Sequence, residues 1–331
     1  MRNSNDPAGA VDSGRLAYLP VSLFGSVMAL CGLALSWRLA ANEYGLPAWV
    51  GEAFALIAVC DFLALALAYG IKCVASRAAV RAEFSHPVAA NFFATPLISL
   101  LLLPAVFLPY STALAHALWL LGTATMSVFA WLIVSRWMSV QQQIAHATPA
   151  WMLPVVGMLN ISIGGASLQL PGADAVRVLA LAVGLLFTLP LFTLILSRLI
   201  FEEPMPPAQQ PSLMILVATF AVGFSAYLEV AGQLDLFASS LFCLAVFMLA
   251  VLLPKVIRLR SASPFHTSWW AVSFPLAAMT LAALKFAQRQ PSWPADAFAL
   301  ALLAFTTLVI SSLAVRTIAG VARGELQALT L

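Results

Sequence analysis

Residues 267–287 read TSWWAVSFPLAAMTLAALKFA. The stretch is almost wholly apolar up to Lys285, yet Phe274 and Pro275 interrupt it near the middle. Proline has no N–H for the carbonyl four residues back and its ring clashes there, so the segment reads as a helix bent close to Phe274. About 20 apolar residues of helix cross a hydrocarbon core of about 30 Å. A bend and a bulky ring at mid-span therefore turn on what the helix faces. Against lipid the ring is packing; beside a narrow conduit it is a hydrophobic constriction that holds back water and ions.

The rest of the chain has the same character. Of its 331 residues 62% are hydrophobic and 9% charged, against about 25% charged in a soluble domain. Such a composition does not cover a water-facing surface. Apolar spans fall at 16–37, 49–69, 87–109, 113–134, 151–170, 176–196, 211–231, 236–253, 268–286 and 296–315. With the N-terminus in the cytoplasm, 12 of the 16 Lys and Arg fall on the cytoplasmic side, and only Arg38, Arg177, Lys285 and Arg289 lie opposite. Positive charge accumulates on the inner side of membrane proteins, so ten spans with both termini inside is the expected topology. The polar opening MRNSNDPAGAVDSGR lacks a cleavage site after a short apolar core, and the first span is expected to be retained. The reading is an all-α integral membrane protein of a bacterial-type inner membrane. Its domain is residues 16–316, flanked by cytoplasmic tails at 1–15 and 317–331.

Taken in pairs, the spans form five successive helical hairpins. The odd members differ in kind: Pro20, Pro96, Pro154 and Pro275 lie in or near them, with Asn91, Asn160, Ser162, Thr219 and Ser225, whereas Pro190 is the central proline of the even set. Backbone freed by proline is tolerated in a membrane where it is buried or lines a cavity, so the odd spans are the candidates for an inner ring. The connection SRLIFEEPMPPAQQP, with Pro204, Pro206, Pro207 and Pro211, reads as a stiff linker without continuous helix.

Enzyme motifs for phosphate cradles, metal-spaced His and Cys, or nucleophile elbows are absent, and neither a cofactor nor a metal is expected. His86, His116, His146 and His266 fall near span ends as interfacial residues. Cys31, Cys60, Cys73 and Cys243 read as free, mostly buried thiols, and a formal charge of +3 is too small to imply nucleic acid. Asp61 is the one carboxylate deep in a span. An ion there costs about 2.5–3.5 kcal/mol on insertion scales, so it is either a neutral helix bridge or a proton-coupling acid. Glu229 and Lys285 stand at the outer ends of spans seven and nine, as plain rim residues or as a charged vestibule.

WWAVSFPLAAMTLAALKFA from Trp269 resembles the ninth-helix signature of the tellurite-resistance and C4-dicarboxylate transporter family, which includes the plant guard-cell slow anion channels. RAEFSHPVAANFF from Arg81, TPAWMLPVVGMLNISIGGASL from Thr148 and AYLEVAG from Ala226 are similar to its third, fifth and seventh helices. The seventh span departs, with MILVATFAVGF where the family pattern implies a proline near Thr219. The resemblance implies five hairpins around a quasi-fivefold central pore, inner helices kinked at proline, a pore-closing phenylalanine that maps to Phe274, and a homotrimer with one pore per protomer.

The leading expectation is a pore for small anions, among them chloride and nitrate, gated by Phe274 with Pro275 setting the bend. Ser273, Asn91, Asn160, Ser162, Thr219, Ser225 and Phe24 are candidate lining residues. Weak hydroxyl and amide sites suit conduction, which requires entry without retention. A proton-coupled dicarboxylate carrier or tellurite exporter using Asp61, and a scaffold or sensor without transport, are the alternatives.

Overall fold

The computed structural model describes residues 16–168, 170–262 and 265–330; the tail at 1–15 lies outside them. In chain order the α-helices are α1 (Gly25–Tyr44), α2 (Ala48–Ala75), α3 (Arg77–Ser85), α4 (Ala94–Phe107), α5 (Thr112–Ser139) and α6 (Leu153–Gly164). They continue with α7 (Ala173–Phe201), α8 (Ile215–Ala231), α9 (Leu236–Ala262), α10 (Trp270–Arg289), α11 (Trp293–Ala322) and α12 (Leu326–Thr330). Nine helical stretches among the described residues are long and apolar enough to cross a membrane, and Pro149–Gly164 is a tenth, shorter one.

Odd and even spans begin differently. Each odd span enters through a 3₁₀ turn and then widens into α-helix: Val21–Phe24 precedes α1, Ala89–Phe93 α4, Pro149–Met152 α6, Pro207–Met214 α8 and Thr267–Trp269 α10. The even spans α2, α5, α7, α9 and α11 begin without one. Proline explains much of this. Pro149 and Pro154 occupy first-turn positions, where the missing N–H costs nothing, and Pro211 lies inside the fourth 3₁₀ turn. The seventh span thus has its irregular segment before Thr219, in the stretch read as a linker.

The odd spans close into a ring. α1 packs on α4, α4 on α6, α6 on α8, α8 on α10, and α10 on α1, while α2, α5, α7, α9 and α11 each lie against their hairpin partner. Burial follows the same division: 61–83% of an apolar 18-residue stretch in each of the four long inner spans is buried, against 11% for α2 and 33% for each other outer helix. The outer helices are apolar on every side because they meet lipid on one face and protein on the other.

Three expectations are corrected. The fifth span ends at Gly164 and not at residue 170, because the chain turns where Gly164 and Gly165 lie against α4 and Trp119, whose indole Nε1 donates to Ile161 O at 3.0 Å. The last span runs from Trp293 to Ala322, beyond the 296–315 read from sequence, and Leu329 of α12 folds back over Gly320. Of the four free cysteines only Cys31 is buried; Cys60, Cys73 and Cys243 are exposed on outer helices, where an apolar run signals contact with lipid.

The α4–α6 approach is limited by backbone. A Cβ on Gly164 would stand 2.4 Å from Leu101 O, whereas one on Gly70 meets nothing within 4 Å. Gly164→Ala is expected to cost about 1–3 kcal/mol through forced separation and to lower the melting temperature in detergent, while Gly70→Ala leaves it unchanged.

Candidate functional site

The odd spans all begin on one face, the entry face, and end on the opposite, exit face. Among their first turns lies a cavity of about 190 Å³. Ser22 and Met28, Phe92 and Thr95, Thr148 and Leu153, Gln209 and Ser212, and Thr267 and Phe274 line it, so every inner span contributes. Its lining is mostly apolar with a few hydroxyl and amide groups. Phe274, 5% exposed, and Pro275 belong to this wall, about one turn in from the start of α10, nearer the entry face than the mid-span position read from sequence.

α10 is held on both sides of that pair. Trp270 Nε1 donates to Thr317 Oγ1 at 3.0 Å, and Thr280 and Thr306 share a 2.7 Å hydroxyl bond. On the α1 side, a Cβ added to Gly32 would lie 3.0 Å from Ala277 Cβ, so α1 and α10 meet closely just beyond Pro275. The first span is fixed at the entry face by Glu83 of α3, which accepts from Val21 N at 2.7 Å. Lys72 Nζ (2.7 Å) and Tyr69 Oη (2.9 Å) also donate to Glu83, and Lys72 donates to Leu19 O at 2.7 Å. A carboxylate on a free N-terminal N–H is the favoured arrangement.

The cavity wall does not include the other candidate lining residues, and five of them donate to backbone carbonyls. Ser273 donates to Trp270 O (2.6 Å), Thr219 to Ile215 O (3.0 Å), Ser162 to Arg177 O (2.8 Å) and Asn160 to Val156 O (2.9 Å). Asn91 donates to Pro87 O and Val88 O, at 3.0 and 3.2 Å. Ser225 is buried, and the Phe24 ring makes edge contacts with Phe62 and Tyr69 of α2, at 6.0 and 6.4 Å. Hydroxyls bonding back to the preceding turn are the usual partners of bent helices. Sequence alone shows which side chains are polar, not which of their atoms bond to backbone; Asn91 Oδ1 and Asn160 Oδ1 stay buried without a partner.

Asp61 of α2 meets α1. Ser26 Oγ lies 2.5 Å from Asp61 Oδ2 and 2.8 Å from Leu23 O. One hydroxyl carries one proton, so both contacts are satisfied when Asp61 is a neutral acid that supplies the second. Glu229 and Lys285 form an ion pair, Nζ to Oε1 2.5 Å, joining α8 to α10 at the exit face.

The basic residues of the exit face share a pattern that sequence did not disclose. Arg38 pairs with Glu52 and donates to Ala105 O and Val106 O near the end of α4, at 3.1 and 3.0 Å. Arg177 reaches Ser162 O at the end of α6 (3.1 Å), Glu229 O at the end of α8 (2.6 Å) and the Asp174 carboxylate. Arg289 donates to Gly232 O at 2.8 Å. The last carbonyls of a helix lack intrahelical donors and carry partial negative charge, and these cations cover them. In the neighbouring turn Asp235 accepts from Ala238 N at 2.8 Å and from Tyr227 Oη at 2.6 Å, which holds its carboxyl below the usual range.

The profile of a family described as SLAC1, voltage-dependent anion channel, matches residues 18–318, from the first span into the last. The chain belongs to that family. It is 31% identical to the S-type anion channel SLAH3 of Arabidopsis thaliana over 308 residues, which are 90% of this chain and 48% of SLAH3. To the guard cell S-type anion channel SLAC1 of the same plant it is 26% identical over 314 residues, 92% of this chain and 56% of that one. A transporter of Methanocaldococcus jannaschii, MJ0576, is 26% identical over 220 residues, 60% of this chain and 63% of its own length. The chain thus spans about half the length of these two plant relatives. Family membership supports anion transport across a membrane and is consistent with a protein that is not an enzyme.

Arg177 links three helix ends through one planar group. Arg177→Gln is expected to cost about 1–3 kcal/mol by leaving buried carbonyls unpaired, read as a lower melting temperature in detergent. Arg177→Lys should restore only part, because an ammonium lacks the fork that reaches them together.

Proposed function

We propose that this chain is a channel for small anions, with the conduction path running along the axis enclosed by α1, α4, α6, α8 and α10. Phe274 is its closing residue and Pro275 the bend that aims the ring. The observation that carries this reading is the entry-face cavity, walled by all five inner spans and reaching Phe274. An apolar ring across a narrow path excludes ions by refusing them hydration until it moves.

Anion preference follows from helix direction. The inner helices all present their N-terminal, partially positive ends to the cavity, and the negative ends lie at the exit face under Arg38, Arg177 and Arg289. An anion is attracted without meeting a fixed cation in the cavity wall, so it enters without being trapped. Chloride and nitrate suit such a site by size. Asp61 belongs to the α1–α2 contact and not to the cavity wall, which disfavours the proton-coupled carrier.

The location is a bacterial-type inner membrane with the entry face cytoplasmic, as the distribution of Lys and Arg favours. The homotrimer implied by the family resemblance has α2 as its natural contact, since that helix has the smallest buried share within the chain, 11%.

Phe274→Ala is expected to raise chloride flux in liposomes or planar bilayers on the order of tenfold, the effect of removing about 1.4 kcal/mol of barrier. Unchanged flux from folded protein would remove the gate.

A further inference from the structure

Arg198 of α7 lies at the entry end of its helix and is 6% exposed. Its one hydrogen bond to protein is long, Nε to Ala145 O at 3.4 Å, and its Nη1 is buried without a partner. Among the described residues no carboxylate stands within ion-pair distance of it. The other buried basic groups are paired: Lys72 with Glu83, and Arg177 with Asp174.

Two more donors in the same region lack an acceptor. Thr148 Oγ1 and Trp151 Nε1 are buried and unpartnered, in residues 3% and 4% exposed. Both flank or belong to the entry turn of the fifth span, which packs on α7, as does the turn Ile144–His146 just before it. Trp151 stacks on Trp137 of α5 and shares a groove with Leu191 and Leu194 of α7, seven and four residues before Arg198. Those spacings put Arg198 on the same side of α7 as the groove.

A buried guanidinium without a counter-charge is costly, and a donor left unpaired adds to the cost. Water answers the hydrogen bonds but not the charge. A small anion answers both, since it accepts from every direction and carries the missing charge. We propose that Arg198, with the buried donors Thr148 Oγ1 and Trp151 Nε1 of the turn that packs on α7, forms a site for a small inorganic anion between α7 and the entry turn of the fifth span. The burial of Nη1 limits the occupant to an ion that the wall can enclose, such as chloride, bromide or nitrate. Thr148 also lines the central cavity, so the bound ion braces the cavity wall from behind. The site goes beyond the channel reading and does not require conduction.

The test is a binding measurement on the whole protein in detergent. Melting temperature is followed while sodium gluconate is replaced by sodium chloride or bromide at constant ionic strength. The unaltered protein is expected to show a saturable rise of a few degrees, which Arg198→Gln abolishes and Thr148→Val weakens. Glu202, exposed and four residues beyond Arg198, is the nearest alternative counter-charge in sequence, and Glu202→Gln should retain the rise. A melting temperature indifferent to the anion, a rise that survives Arg198→Gln, or a rise lost in Glu202→Gln each overturns the site. If Arg198→Gln does not fold, Thr148→Val and crystals of the unaltered protein grown in bromide decide. An anomalous peak beside Arg198 is expected there, and its absence rejects the proposal.

Discussion

A polypeptide inside hydrocarbon has no water to complete its hydrogen bonds, so every irregular stretch of backbone must find protein or a polar cavity. That constraint sorts this chain. The five 3₁₀ entries leave backbone groups that a lipid-facing helix could not satisfy, and each occurs on a span of the inner ring, whereas single prolines also fall inside the outer helices, Pro190 in α7 and Pro254 in α9. The outer helices, free of such entries, cover the ring. Serine, threonine and asparagine side chains of the inner spans donate to backbone carbonyls, as Ser273 does to Trp270 O. The 3₁₀ entry and the interior position thus go together.

The same ordering sets the electrostatics. Five helices entering from one face point their dipoles one way, which places partial positive charge around the cavity and partial negative charge at the exit face. The two ends are treated differently. At the exit face arginines place their donors on terminal carbonyls; at the entry face, among the described residues, the first span alone has a carboxylate cap, from Glu83. The cavity therefore keeps a positive bias of backbone origin, and its deeper wall includes the apolar ring of Phe274.

Composition and charge placement made the spans legible, and proline with small polar residues made the inner ring legible. Both signals report a direct cost in lipid. Helix periodicity did not help, because an outer helix is apolar toward lipid and protein alike; the same ambiguity led to cysteines being read as buried that lie on the outer surface. Phe274 stood out because a ring beside a helix breaker is visible in a line of text. The Lys285–Glu229 pair, the carbonyl caps of Arg38 and Arg177, and the unpartnered Nη1 of Arg198 depend on residues far apart in sequence. Whether a hydroxyl faces a bend or a cavity likewise depends on rotation about the helix axis, which the neighbours set.

The central claim is that ions pass through the cavity enclosed by the inner ring. Its most direct test is thiol accessibility during flux, in a background lacking the four native cysteines. Ala271→Cys lies on the cavity wall, and Leu186→Cys, 73% exposed, lies on the outer surface of α7. A negatively charged methanethiosulfonate applied from the entry face should modify Ala271→Cys and block chloride flux, and leave Leu186→Cys conducting. Flux that continues unchanged after Ala271→Cys has been modified would contradict the account.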